Sequence, residues 1–151
     1  MLSVQRKFSS PMLNTPHKTS ILIVEDDDEI GSVLKDILAM EPGFHAFLAK
    51  DAQDAFTIMR TITPQLVLLD YQLPDMDGVE LFDRMRCTGK LANIPAIVIS
   101  ANLPYAKLAK RHLIGLKKPF DIDEVIQAIH RALALSSSAC VRQRNEVRHF
   151  S

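Results

Sequence analysis

The sequence predicts an α/β fold, a doubly wound sheet of five parallel strands with helices on both faces. Three observations lead there. The runs Ile21–Val24, Leu66–Leu69 and Ile94–Ile99 are short and apolar, and the first is rich in β-branched residues, as strands buried on both faces are. Segments of helical periodicity separate them, and neighbouring parallel strands need such right-handed crossovers. Finally, residues that carry chemistry stand just past the strand ends, where ligands of doubly wound folds bind. Glu25 and Asp26 follow the first strand, Asp70 ends the third, Ser100 ends the fourth and Lys118 follows the fifth.

The elements follow in order. Ile21–Val24 stops at Glu25-Asp26-Asp27-Asp28. Ile30, Val33, Leu34, Ile37 and Leu38 then repeat at helical spacing, with Asp28 and Glu29 placed to favour the helix N-terminus, until Glu41-Pro42-Gly43 breaks the pattern. Phe44–Ala49 reads as a strand. Asp51–Arg60 reads as a helix that turns Ala52, Ala55, Phe56 and Met59 inward. After Leu66–Leu69 comes the turn-rich loop Tyr71–Gly78, then a helix carrying Val79, Phe82 and Met85. Ile94–Ile99 is the fourth strand, Leu103–His112 a short helix, Ile114–Leu116 a weak fifth strand. Ile122, Val125, Ile126, Ile129 and Leu133 mark the last helix.

Composition narrows the classes. The 151 residues are 47% hydrophobic and 24% charged, which excludes collagen-like and disordered chains. The length suits one domain with a single core. Net charge is zero, yet the stretch Ile21–Leu135 carries a net −5 while both ends are basic. Residues 1–18 are therefore read as a flexible extension, 19–135 as the domain, and 136–151 as a basic polar tail, too short for a DNA-binding output domain. No direct DNA contact is expected, because the tail arginines lack aromatic interleaving. Cys87 and Cys140 match no metal spacing, His17, His45, His112, His130 and His149 form no cluster, and no apolar run approaches a membrane span. A cytoplasmic protein without membrane association is the expectation.

The strand-end residues suggest a reaction. Carboxylates from Glu25, Asp26 and Asp70 brought to one crevice repel one another unless a cation or a proton intervenes. Magnesium suits such a site, since it takes one or two carboxylates, waters and a phosphate oxygen. Asp70 would be the nucleophile, forming an aspartyl phosphate, with Lys118 and Ser100 neutralising and positioning the phosphoryl group. Asp27 and Asp28 read as helix-capping acids, Asp75 and Asp77 as turn-favouring loop acids.

Four segments, Ile21–Asp27, Leu68–Gly78, Ile97–Ala101 and Lys117–Phe120, together resemble the signature segments of the response-regulator receiver family, in the family's order. That resemblance implies a flavodoxin-like sheet of strand order 2-1-3-4-5. It implies that Glu25 and Asp26 hold Mg2+ together with Asp70 and the Gln72 backbone carbonyl, and that Asp70 is the phosphoacceptor. Ser100 is implied to bond the phosphoryl group, and Lys118 to pair with it, oriented by a cis peptide before Pro119. The small Ala101 leaves room for phosphate, and Gln72 and Asn102 flank the path of hydrolytic water. The implied phosphoryl donor is a histidine kinase or a histidine phosphotransfer protein, and the implied output is a protein contact. Catalysis would be limited to the chain's own phosphorylation and dephosphorylation.

The chain departs from the family in one region. The spacing from Ser100 to Lys118 is short, so the fourth helix region is read as shortened, and Gly115 stands where the family's aromatic switch residue belongs. Tyr105 is the candidate to replace it. Two other readings follow from these residues. One is a degenerate receiver that binds proteins regardless of phosphorylation, which Gly115 favours. The other, a phosphohydrolase, would need a second carboxylate two residues after the nucleophile, where Gln72 stands. Dinucleotide binding is excluded by the lack of a glycine-rich turn after the first strand.

Overall fold

The computed structural model describes residues 18–150, with side chains described through Ser136. Among these, strands β1 (Thr19–Val24), β2 (Phe44–Ala49), β3 (Leu66–Asp70), β4 (Ala96–Ser100) and β5 (Ile114–Lys117) form one parallel sheet of order β2-β1-β3-β4-β5. The α-helices are α1 (Asp28–Ala39), α2 (Ala52–Met59), α3 (Gly78–Arg86), α4 (Tyr105–Arg111) and α5 (Ile122–Phe150). The expected topology is present. Residues 1–17 of the expected extension lie outside the described residues. The stretch read as a basic tail from residue 136 belongs to α5, which runs on from its packed first half.

Alternation along each strand builds a two-sided core. Ile21, Ile23, Leu66, Leu68, Ile97 and Ile99 face one way, against Leu34 and Leu38 of α1 and Val125, Ile129 and Ala132 of α5. Leu22, Val24, Val67, Leu69 and Ala96 face the other way, against Ala52, Ala55 and Met59 of α2 and Leu81, Phe82 and Met85 of α3. The central strands are fully buried, so their polar backbone must be spent in the ladder, which leaves the chain's chemistry to the strand ends.

The helix starts are set by side chains. Asp27 caps α1, its carboxylate accepting from the N–H groups of Glu29 (2.9 Å) and Ile30 (3.1 Å). Asp51 caps α2 through the N–H of Asp54, and Asp77 caps α3 through the N–H of Glu80. Among the described residues Asp28 is the first helical residue of α1 rather than its cap.

Helix α4 is seven residues long, begins after Pro104 without a side-chain cap, and ends on His112 in the left-handed region (φ 55°). A left-handed terminator stops a helix abruptly, and this places the short connection from β4 to β5 where the spacing anticipated it. Arg111 ties α4 to α3 through two hydrogen bonds to Asp83 (2.7 and 2.8 Å).

Candidate functional site

Parallel register brings the strand ends level. Val24 pairs with Leu69, Asp70 with Ile99, and Ser100 with Lys117. The ladder continues one step further: Glu25 donates its N–H to the Ala49 carbonyl (3.0 Å), Tyr71 to Ile99 (2.9 Å) and Lys118 to Ser100 (3.0 Å). Backbone bonds therefore hold Glu25 and Lys118 at fixed height beside Asp70, although both lie beyond their strands.

Together with Asp26, Asp27, Ile30, Gln72, Leu73, Pro74, Ser100, Ala101 and Asn102, these residues line an open cleft of about 450 Å³. Glu25, Asp70 and Ser100 are buried and Asp26 is exposed. One carboxylate oxygen from each of Glu25, Asp26 and Asp70 falls within 4.8 Å of the others, a group of the kind that holds a metal ion. Lys118 Nζ reaches Glu25 Oε1 at 3.1 Å and Asp70 Oδ1 at 3.5 Å. The sequence-predicted set thus converges: Glu25, Asp26, Asp70, Gln72, Ser100 and Lys118 all face one cleft. The Lys118–Pro119 peptide is cis.

The electrostatics are unbalanced. Burial pushes the Glu25 carboxyl up to about 8, and the neighbouring Asp70 carboxylate pushes the same way, against Lys118. Burial also works against the Lys118 ammonium, yet its bond to Glu25 and the charges of Asp70 and Glu25 hold it above the usual lysine range. One ammonium does not satisfy three acids. Glu25 Oε2 is buried and finds no hydrogen-bond partner among the described residues. A buried orphan oxygen beside two further carboxylates fits a hard, oxygen-seeking divalent cation such as Mg2+.

The loop after Asp70 is closed at its base. Gln72 bridges Asp77 in antiparallel fashion, and Gly78 donates its N–H to the Tyr71 carbonyl (2.8 Å). A Cβ on Gly78 would stand 2.5 Å from the Asp70 carbonyl oxygen, which is backbone and cannot swing away. Gly78→Ala is therefore expected to cost about 1–3 kcal/mol in urea unfolding. An unchanged midpoint would show that the loop base yields.

Ser100 Oγ donates to the Asn102 carbonyl and accepts from the Asn102 N–H, both at 3.1 Å. Beside the cleft, a mostly apolar groove is lined by Ile30, Val33, Ala101, Pro119 and Phe120 together with Glu29 and Lys118.

The region around Gly115 differs from the expectation. Tyr105, the candidate for an aromatic switch, is 67% exposed and is not among the residues nearest Gly115. Leucines close over the spot instead: a Cβ on Gly115 would meet Leu108 Cδ1 at 2.9 Å and Leu103 Cδ1 at 3.0 Å. Sequence reasoning missed both: Leu108 fits an ordinary helix-face pattern, and Leu103, read as the first residue of that helix, lies in the loop before it because α4 starts only after Pro104. It also missed Asp75, read as a turn former, whose carboxylate reaches the backbone of a different element.

The family model for the response regulator receiver domain matches residues 21–130. Sporulation initiation phosphotransferase F of Bacillus subtilis is 34% identical over 122 residues, a match covering 78% of this chain and 96% of that one. The regulatory protein AtoC of Escherichia coli is 31% identical over 134 residues, 86% of this chain but 27% of the longer protein. Among solved structures, the signal receiver domain of an HD domain-containing protein from Pseudomonas fluorescens superposes with a TM-score of 0.73 at 25% identity, covering 85% of this chain and 96% of that one. No helix among the described residues is long and apolar enough to cross a membrane. Sheet order, acidic cleft and family match lead to one conclusion: the chain belongs to the response regulator receiver family.

Proposed function

We propose that this chain is a single-domain response regulator that accepts a phosphoryl group on Asp70 in a Mg2+-dependent reaction, from a histidine kinase or a histidine phosphotransfer protein. The observation that carries the reading is the convergence of a buried Asp70 with Glu25, Asp26 and Lys118 in one cleft.

Glu25, Asp26, Asp70 and the Gln72 carbonyl would hold the cation. When bound, it neutralises the carboxylates and the phosphoryl oxygens that approach them. Asp70 attacks phosphorus through a carboxylate oxygen, forming the O–P bond as the donor's P–N bond breaks and its imidazole departs. The transfer needs positioning and charge neutralisation more than covalent help. Lys118 already points at Asp70 Oδ1 and is placed to pair with a phosphoryl oxygen. The Ser100 hydroxyl exchanges its bond to Asn102 for one to the phosphoryl group. Exposed Ala101 leaves the entrance wide.

The apolar groove of Ile30, Val33, Pro119 and Phe120 adjoins the cleft and suits a protein donor, whose surface must cover the cleft rim to present its phosphohistidine. Output through protein contacts in the cytoplasm, with catalysis confined to the chain's own phosphorylation and dephosphorylation, completes the proposal.

Incubation with Mg2+ and acetyl phosphate is expected to give an acyl phosphate that is labile to base and to hydroxylamine. A label that resists hydroxylamine would refute a carboxylate acceptor. The leucine-filled site at Gly115 favours a second reading, a receiver that binds its partner regardless of phosphorylation. Complete absence of label in the presence of Mg2+ would select that reading.

A further inference from the structure

We propose that Asp75 is a positioning residue for the cation, fastening the loop that carries Gln72 to the N-terminus of α2. The proposal rests on the reading of the cleft as a Mg2+ site and names a residue outside the cleft that tunes it.

The loop between Asp70 and α3 is fixed at its base by the Gln72–Asp77 bridge and by Gly78 against Asp70. Its far end is fixed by Asp75. Asp75 Oδ1 accepts from the Ala52 N–H at 3.1 Å and Oδ2 from the Gln53 N–H at 3.0 Å. These are the first two N–H groups of α2, which lack partners within their own helix. The helix's own cap does not serve them, because Asp51 is committed to the Asp54 N–H.

A side chain 23 positions away in sequence therefore completes the cap of α2, and both of its oxygens are used. The helix N-terminus favours that negative charge. Burial works against the Asp75 charge, yet the N–H groups of Ala52 and Gln53, with those of Asp75 and Met76, hold its carboxyl below the usual carboxylate range.

Gln72 at the base anchor, and Leu73 and Pro74 between it and the second anchor, line the cleft, while Asp75 does not. Anchoring both ends orders this stretch before a cation arrives, so binding does not have to supply that order. Without Asp75 the stretch is held at its base alone, and the cation must immobilise it. Since Asp75 touches none of the reacting groups, its loss should weaken cation binding and leave the transfer step at saturating cation intact.

The test uses the full chain and Mg2+ alone. Tyrosine fluorescence, with Tyr71 next to Asp70, follows a Mg2+ titration of wild type, Asp75→Asn and Asp75→Ala. The melting temperature of each metal-free protein is recorded beside it, together with the acetyl phosphate labelling rate at saturating Mg2+. Asp75 is exposed, so both variants are expected to fold. The expected result is a Mg2+ Kd raised about tenfold in Asp75→Ala, the lower end of what loss of an outer-shell support costs. Asp75→Asn, which keeps one acceptor oxygen, should fall between, with labelling at saturation within about twofold of wild type.

Equal Kd values for all three proteins, with a lowered melting temperature in the variants, would overturn the proposal and leave Asp75 as a helix cap alone. Failure of wild type itself to respond to Mg2+ would overturn the reading of the cleft, and this proposal with it.

Discussion

Asp70→Asn is expected to abolish phosphoryl labelling, lowering the rate by at least about 10³-fold, as loss of a nucleophile does. An amide offers no anionic oxygen to phosphorus. The substitution also removes one acid from a cup of three. Burial raises the Glu25 carboxyl and the neighbouring Asp70 carboxylate raises it further, so in the variant Glu25 returns part of the way toward its ordinary value, burial still holding it up. The metal-free variant should therefore melt no lower than wild type at pH 8, while its stabilisation by Mg2+ shrinks. Labelling, melting in EDTA and melting in Mg2+ separate these effects. An undiminished label in Asp70→Asn would place the phosphoryl group on another residue and end the proposed mechanism. A collapse of stability in EDTA would show instead that Asp70 is a structural partner of Lys118.

Mg2+ should raise the melting temperature of wild type by about 5–10 °C at a concentration one hundred times its Kd. Such binding contributes about 2.7 kcal/mol, and each kcal/mol moves a chain of this size by about 2–4 °C. The gain depends on pH. Glu25 rises from an ordinary 4.5 to about 8 in the folded protein, so the folded state binds more protons than the unfolded one between those values. Its contribution to stability is fully present below about pH 4.5 and is lost as pH rises through about 8. The metal-free protein should melt lower at pH 8 than at pH 6 by this contribution. Mg2+ binding must displace the Glu25 proton below about pH 8, so the stabilisation grows from pH 6 to 8 and levels off above. Calorimetry in two buffers of different ionisation enthalpy reads the displaced proton directly. Equal Mg2+ stabilisation at pH 6 and pH 8, with no proton released, would show that Glu25 is ionised before the cation arrives.

Periodicity alone determined the frame of this protein. Unbroken apolar runs such as Ile21–Val24 and Leu66–Leu69 have few alternatives to a strand covered on both faces, and helices between them force parallel pairing. Given that frame, strand ends meet on one edge, and Glu25, Asp26, Asp70, Ser100 and Lys118 were legible as one site because each stands at or just past a strand terminus. Local spacing carries such information, since it fixes which face or end a residue occupies.

Tertiary structure decided what depends on distance across the chain. Asp75 has the local signature of a turn residue, and only packing of its loop against α2 gives its carboxylate to Ala52 and Gln53. Leu108 looks like an ordinary helix-face residue until the short α4 lays it over Gly115, and Leu103 reaches the same spot from the loop before that helix, where no side chain competes for the space. The buried orphan oxygen of Glu25 likewise has no counterpart in sequence, because desolvation is set by neighbours from several elements. Hydrogen-bond partners and solvent exclusion belong to the assembled fold, whereas strand faces and ends belong to the order of residues.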